Sequence, residues 1–193
     1  MPAQCTDPLL QNNPIYTIGG RDFRGPNENL GTVEAYDPAT DTWTAKAPMP
    51  TPRHAFAATS GPDGRIYAVG GNPASRFTAA LEIYDPVKDA WSTGAPMPYP
   101  QECACSSSTP DPAGEVLVFG GRDMDQRELM TVVAYSPRTN RWRALAPLSQ
   151  ARQAAGVAAL TAPNRSIHYY IVGGTPKSDT MEEYVFRRQS LDR

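Results

Sequence analysis

The sequence predicts an all-β protein made of one antiparallel unit used four times. A short apolar run closing on two glycines recurs as Ile15-Tyr16-Thr17-Ile18-Gly19-Gly20, Ile66-Tyr67-Ala68-Val69-Gly70-Gly71, Val116-Leu117-Val118-Phe119-Gly120-Gly121 and Tyr169-Tyr170-Ile171-Val172-Gly173-Gly174. The second glycines are 51, 50 and 53 residues apart, a period that marks one supersecondary unit repeated along a chain. No apolar pattern of helical period persists across any segment. The 20 prolines and 15 glycines fall at periodic positions, as punctuation between short strands does.

A chain of 193 residues with 40% apolar and 20% charged residues has the composition of a folded array, not a disordered segment. The net charge of −2, without blocks of like charge, argues against nucleic acid and an anionic membrane surface as partners. No apolar run has the length of a membrane-spanning helix, and Met1 to Leu10 lack the basic and apolar regions of a signal peptide. The expected location is cytoplasmic, with a fragment of a secreted parent as the alternative. Three cysteines are too few for a disulfide framework.

Taken in order, residues 1–13 form an extended lead-in, because Pro2, Pro8 and Pro14 disfavour helix and central strand. The repeat domain covers 14–186, in units of about 14–52, 53–100, 101–151 and 152–186, with a tail at 187–193. In the first unit the glycine-ended strand leads through a polar loop, Arg21 to Gly31, to Thr32–Tyr36. The turn Asp37-Pro38-Ala39-Thr40-Asp41 and the short strand Thr42-Trp43-Thr44 follow. The second unit opens with an inner strand, His54–Ser60, that the first lacks. It continues through Ala80–Tyr84, Asp85–Asp89 and Ala90-Trp91-Ser92. The third has Cys103–Ser108, Val132–Tyr135, Ser136–Asn140 and Trp142. The fourth has Ala154–Leu160 and Thr180–Tyr184, then stops without a tryptophan.

The spacings Tyr36 to Trp43, Tyr84 to Trp91 and Tyr135 to Trp142 are each seven residues. Those from tryptophan to Pro48, Pro96 and Pro147 are each five. A meander of four strands has two apolar faces and buries them only by stacking on its neighbours, which yields a propeller with each unit as a blade. Small residues in the first strand of each unit suit the crowded axis; Tyr and Trp suit the outer strands.

The paired glycines, the later tyrosine with Asp-Pro, the tryptophan seven residues on and the Ala-Pro-Met that follows together resemble kelch repeats, over about residues 14–185. The resemblance implies a kelch-type β-propeller of the galactose oxidase-like superfamily. Its structural residues here are Gly19, Gly20, Tyr36, Trp43, Gly70, Gly71, Tyr84, Trp91, Gly120, Gly121, Tyr135, Trp142, Gly173, Gly174 and Tyr184. Kelch propellers usually close with six or seven blades, whereas this chain offers two complete blades plus incomplete first and last ones. Three arrangements satisfy that count: part of a longer propeller, a small four-bladed ring, or head-to-tail assembly with another chain through the incomplete ends.

Candidate chemistry is sparse. His54 and His168 lie outside any ligand motif, so no metal or cofactor is expected, and the copper residues of galactose oxidase have no counterparts. Cys103 and Cys105 read as small core residues on one strand face. Glu34, Glu82 and Glu182, each two residues before the repeat tyrosine, read as structural partners of Arg53 or Arg152; the third unit carries Val133 and Gln101 at the corresponding places. No catalytic motif is present.

In a meander the connections alternate between the two ends of the propeller. One end collects the Asp-Pro turns, of fixed geometry. The other collects the loops after the glycines, 11, 8, 9 and 5 residues long, and the segments approaching each inner strand. Variable loops on a rigid scaffold carry function. The candidate binding residues are therefore Arg21, Asp22, Asn72, Arg76, Arg122 and Asp123 from the loops, and Arg53, His54, Gln101, Glu102, Arg152 and Gln153 from the approach segments; Arg24, Arg127 and Lys177 lie in the same loops. The resemblance implies a non-catalytic module binding a protein or peptide there. The competing reading is the propeller part of a carbohydrate-active enzyme of the galactose oxidase or sialic acid epimerase kind, or a glycan-binding propeller.

Overall fold

The computed structural model describes residues 3–5, 14–24, 28–74, 76–106, 110–111, 113–164, 166–175 and 180–186. Most of the lead-in, Lys177 and the tail at 187–193 lie outside them. Every regular element among the described residues is a strand, and the strands form four antiparallel sheets in sequence order. The first sheet holds β1 (Ala3–Cys5), β2 (Ile15–Arg21), β3 (Asn29–Asp37) and β4 (Thr42–Lys46). The second holds β5 (Ala57–Ser60), β6 (Ile66–Val69), β7 (Leu81–Asp85) and β8 (Ala90–Gly94). The third holds β9 (Cys105–Ser106), β10 (Val116–Phe119), β11 (Val132–Ser136) and β12 (Arg141–Ala144). The fourth has only β13 (Gly156–Thr161), β14 (Ile167–Val172) and β15 (Met181–Phe186). No helix among the described residues is long and apolar enough to cross a membrane.

Each sheet is a meander whose first strand lies innermost. The inner strands β1, β5, β9 and β13 approach one another in succession. Apolar clusters fill the spaces between consecutive sheets. Tyr16, Ile18, Val33 and Ala35 of the first sheet meet Ile66, Ala68 and Tyr84 of the second. Tyr67, Val69, Leu81 and Ile83 of the second meet Val116, Val118, Val133 and Tyr135 of the third. Leu117, Phe119, Val132 and Ala134 of the third meet Tyr169 and Ile171 of the fourth. Strand alternation assigns one face of each sheet forward and the other back. Met49, Met97 and Leu148 enter successive clusters, which explains the Ala-Pro-Met/Leu sequence: its third residue plugs the joint.

Three local expectations are corrected. The first unit has an inner strand after all, because Ala3-Gln4-Cys5 lies between Pro2 and Pro8 and contains neither; it pairs with Tyr16–Ile18. The inner strands of later units start later than the sequence reading places them, since Ala55, Cys103 and Ala154 adopt φ of 55°, 52° and 51°. The chain bends there before it can join the sheet, so Cys103 precedes β9 and does not share a strand face with Cys105. In the first unit β2 runs through the glycines to Arg21, with a register shift between Ile18 and Gly20, and the polar loop is correspondingly shorter.

A clamp at the turn end ties the second and third sheets each to the one before. The Asp-Pro turns of the first two units end at Asp41 and Asp89 and the Ser136-Pro137 turn of the third at Asn140, all at positive φ, which Asp and Asn tolerate best among residues with a side chain. The hydroxyls of Tyr36, Tyr84 and Tyr135 donate to those side chains at 2.7–2.8 Å. Asp89 and Asn140 also accept the backbone N–H of Ala47 and Ala95, each at the close of the preceding unit. The indole N–H of Trp91 and Trp142 donates to the carbonyls of the same two alanines, at 2.8 and 2.7 Å. Tyrosine, aspartate or asparagine, and tryptophan thus grip one alanine, which accounts for the fixed spacings. The fourth unit lacks the tryptophan, yet Phe186 stacks on Tyr184 at 5.3 Å, close to the 5.2 and 5.1 Å of Tyr84–Trp91 and Tyr135–Trp142.

The four sheets do not close on themselves. The back of the first sheet exposes Glu34 and Trp43, and the front of the fourth exposes Leu160, Val172 and Met181. The architecture is a partial β-propeller.

Candidate functional site

The glycine pairs build the loop end. Gly70 and Gly71 have φ of 68° and 95°, and Gly120 and Gly121 have 58° and 111°, a region open mainly to glycine. Space forbids a side chain as well. A Cβ on Gly70 would sit 2.7 Å from the carbonyl oxygen of Gln101 in the next unit, and one on Gly71 would sit 2.7 Å from that of His54 in its own. Each pair is therefore held between two units. The N–H groups of Gly20, Gly71 and Gly121 donate to Arg53, Gln101 and Arg152 carbonyls at 2.8–2.9 Å.

The residues after the glycines pair with the approach segments as isolated bridges: His54 with Asn72, Glu102 with Arg122, Gln153 with Thr175. The two groups of candidate residues thus meet at one end of the molecule. Their side chains divide into two sets. Arg53 and Arg152 are 0% and 2% exposed, and Gln101 and Glu102 are buried too. The Arg53 guanidinium bonds Glu82, the Thr51 carbonyl and the Ala68 carbonyl, while Thr51 donates its hydroxyl to Glu82 at 2.7 Å. Arg152 bonds the Gly173 carbonyl and lies 3.6 Å from Glu182. These arginines hold carboxylates inside their own units and are withdrawn from a ligand-facing role, as the structural reading of Glu82 and Glu182 requires; Glu34 is exposed and forms no ion pair among the described residues. The third unit replaces both partners at once, with Gln101 and Val133.

Polar side chains link neighbouring loops across the surface. Asn29 donates from Nδ2 to the carbonyls of Asn72 and Pro73, which orients its amide and leaves Oδ1 as acceptor. His54 Nδ1, 2.7 Å from that oxygen, carries the proton, so Nε2 is an acceptor. Burial, with help from the Arg21 charge, pulls the His54 pKa below its ordinary value against the opposing pull of Glu102, so the ring is neutral at pH 7. Asn72 donates to Glu102 at 3.2 Å, and Glu102 pairs with Arg122, which lies over the Phe77 ring. Asp22 binds Arg24 and Asp123 binds the backbone of Asp125 and Arg127; both aspartates shape their own loops.

Between the first two units lies a cleft of about 720 Å³, walled by Arg21, Glu28, Asn29, Thr51, His54 and Asn72 among others. Among the described residues Arg21 forms no salt bridge; its guanidinium lies 5.5 Å from the centre of the exposed Phe23 ring. Arg76 is exposed as well. The sequence reading missed Glu28, Asn29 and Thr51 in the walls. Nothing in their spacing marks them; only the pairing of β2 with β3 through Gly20–Leu30 and Arg21–Asn29 brings Asn29 to the rim.

The family model described as the Kelch motif matches residues 11–50, 53–98 and 112–149, and the chain belongs to the kelch-repeat family. Kelch-like protein 36 of Rattus norvegicus is 31% identical over 167 residues, which are 83% of this chain and 25% of that protein. Kelch-like ECH-associated protein 1A of Danio rerio is 44% identical over 62 residues, 32% of this chain and 10% of that protein. Beta-scruin of Limulus polyphemus is 41% identical over 63 residues, 33% of this chain and 7% of that protein. The matched stretch never exceeds a quarter of these relatives' own length.

Proposed function

We propose that the chain is a non-catalytic interaction module whose loop end receives an acidic segment of a protein partner in the cleft between the first two units. The observation that carries this reading is Arg21: a guanidinium at a cleft wall, outside the ion pairs that occupy Arg53, Arg122 and Arg152. Its planar fork suits a carboxylate. Neutral His54 and Asn72 beside it add hydrogen-bonding groups without competing charge. The name of one relative, ECH-associated, supports partner binding as the role.

Selection of binders from a random peptide display library tests it. Recovered sequences should be rich in Asp and Glu. They should lose binding to the variant with Arg21→Glu and Arg76→Glu and keep it with Lys88→Glu and Arg138→Glu, which change the opposite end. Binders without acidic residues, or binders indifferent to the first variant, would overturn the reading.

A further inference from the structure

Three turns of one form join β3 to β4, β7 to β8 and β11 to β12, and they differ in charge. In each, the first residue pairs with the residue that follows the turn: Asp37 with Thr42, Asp85 with Ala90, Ser136 with Arg141. In each, the fifth residue has positive φ, 53° at Asp41, 48° at Asp89 and 54° at Asn140. The backbone frame is therefore shared. Over these six positions the charged residues are Asp37 and Asp41 in the first turn, Asp85, Lys88 and Asp89 in the second, and Arg138 and Arg141 in the third. The net charge runs −2, −1 and +2.

The second turn shows what this frame holds. One oxygen of the Asp85 carboxylate accepts the backbone N–H of Val87 at 3.0 Å and that of Lys88 at 3.1 Å. The other lies 3.1 Å from Nζ of Lys88. Two N–H groups and a cation thus surround one anion. In the first turn Asp37 accepts the N–H of Ala39 at 2.8 Å. The third turn has the donors without the carboxylate. Ser136 is half-buried, and the N–H groups of Arg138 and Thr139 meet no acceptor among the described residues. Arg138 and Arg141 are exposed and form no ion pair among the described residues. Arg138 lines a hollow of about 340 Å³ together with Pro62, Asp63 and Arg65. Asp63 is already taken by Arg65 and by the Tyr67 hydroxyl, at 2.7 Å each. The third sheet is packed against a neighbour on either side, so both joints around this turn are made.

We propose that the third turn is a binding site for a phosphate group, held where the second turn holds its own carboxylate. Successive N–H groups in a turn form an anion-binding concavity. Two such groups, the Ser136 hydroxyl and two guanidiniums offer more donors than the two oxygens of a carboxylate take up. A phosphate monoester presents three acceptor oxygens and a charge of about −1.5 to −2 at pH 7, which matches the two arginines. Arg141 stands directly across the strand pair from Ser136, the placement that brings side chains of paired strands together. Its planar fork suits phosphate oxygens. The site lies at the end opposite the cleft and stands independently of the role proposed for that cleft.

Two-dimensional amide NMR of the full chain, titrated with inorganic phosphate, tests the proposal. The signals of Arg138 and Thr139 should shift and saturate. Ser136→Asp gives the third turn the residue of the other two, so its own carboxylate should occupy the N–H groups and abolish the response in a folded chain. Arg141→Thr, the residue of the first turn, should weaken binding roughly tenfold, the loss of one hydrogen bond to a charged group. Acetate at equal concentration should shift these signals far less. A short phosphoserine peptide that binds more tightly than the ion assigns the site to a phosphorylated partner; equal or lower affinity assigns it to free phosphate. A shift that spreads over exposed arginines without saturating, an adventitious ion only, would overturn the proposal. So would a Ser136→Asp chain that binds phosphate as the parent does.

Discussion

The second and third units solve one structural problem with opposite chemistry. In the second, the approach segment buries a guanidinium against a carboxylate, Arg53 with Glu82. In the third the corresponding residues are Gln101 and Val133, both buried and both uncharged. At the turn end the second unit grips its alanine with the carboxylate of Asp89 and the third with the amide of Asn140. The backbone geometry is the same: the glycines at 71 and 121 donate to the next unit at 2.8 and 2.9 Å. The repeat therefore fixes shape, the backbone bonds across the joint and the clamp at the turn end, and leaves the charge of these buried positions free.

The largest expected effect tests whether the buried charge in the second unit is held or merely present. Arg53→Ala strands Glu82 without its cation and should destabilise the chain by about 3–5 kcal/mol. Gln101→Ala strands no charge, and the side-chain oxygen it removes has no hydrogen-bond partner among the described residues, so it should cost clearly less. Denaturant midpoints decide; equal losses at the two sites would erase the distinction drawn between the units.

A middle-sized effect tests what the units share. Trp91→Phe and Trp142→Phe each keep the stacked ring and remove the indole N–H that reaches Ala47 or Ala95. Each should lower stability by about 0.5–1.5 kcal/mol, and by similar amounts, since the alanine carbonyl loses the same donor in both. A marked inequality in thermal unfolding would show that the clamps differ in more than charge.

Transplanting the third unit's solution into the second should do little. The double substitution Arg53→Gln with Glu82→Val is expected to stay within about 1 kcal/mol of the parent, because replacing a whole buried pair avoids the cost of orphaning one member. A double variant as unstable as Arg53→Ala would mean that the site demands charge.

The smallest effect is in the pH dependence. The backbone N–H of Ala47, and then the hydroxyl of Tyr84, hold the Asp89 carboxyl below its ordinary range. A depressed folded-state pKa contributes stability above the unfolded value of about 3.9. That contribution is lost as pH falls through the folded value. Asn140 does not titrate. Asp89→Asn should therefore flatten the acid side of the stability profile slightly, whereas Asn140→Asp should steepen it. An unchanged acid limb in both variants would remove Asp89 from the account.

These contrasts also explain how much the sequence disclosed. The glycine pairs, the tyrosine-to-tryptophan spacing and the alternating connections were legible because each answers to backbone geometry that only certain residues can adopt. The assignment of Glu82 and Glu182 to Arg53 and Arg152 was legible as chemistry: a carboxylate on a packed face needs a donor. The burial of Arg53 was not readable as a limit on binding, since an arginine before an inner strand looks the same whether it turns inward or outward. Asn29 was invisible for another reason. Its place beside His54 depends on the register beyond the bulge at Gly20, and a local sequence of polar loop residues does not encode that register. Phe186 was missed because it follows Tyr184 by two residues on the same strand, whereas the tryptophans reach the same stack from the next strand over.

The bonds across each joint have a consequence for how such a chain is inherited. Gly20 and Gly71 bind forward into the next unit, while Trp91 and Trp142 bind backward into the one before. Any segment copied out of the gene, wherever the cut falls, arrives with a glycine seeking a carbonyl on one side or an indole seeking one on the other. It is useful only beside another copy that already presents those groups. Duplication in tandem satisfies both sides at once, and insertion into an unrelated protein satisfies neither. The hydrogen-bond offset between neighbours thus favours growth of the array in place and works against dispersal of its units.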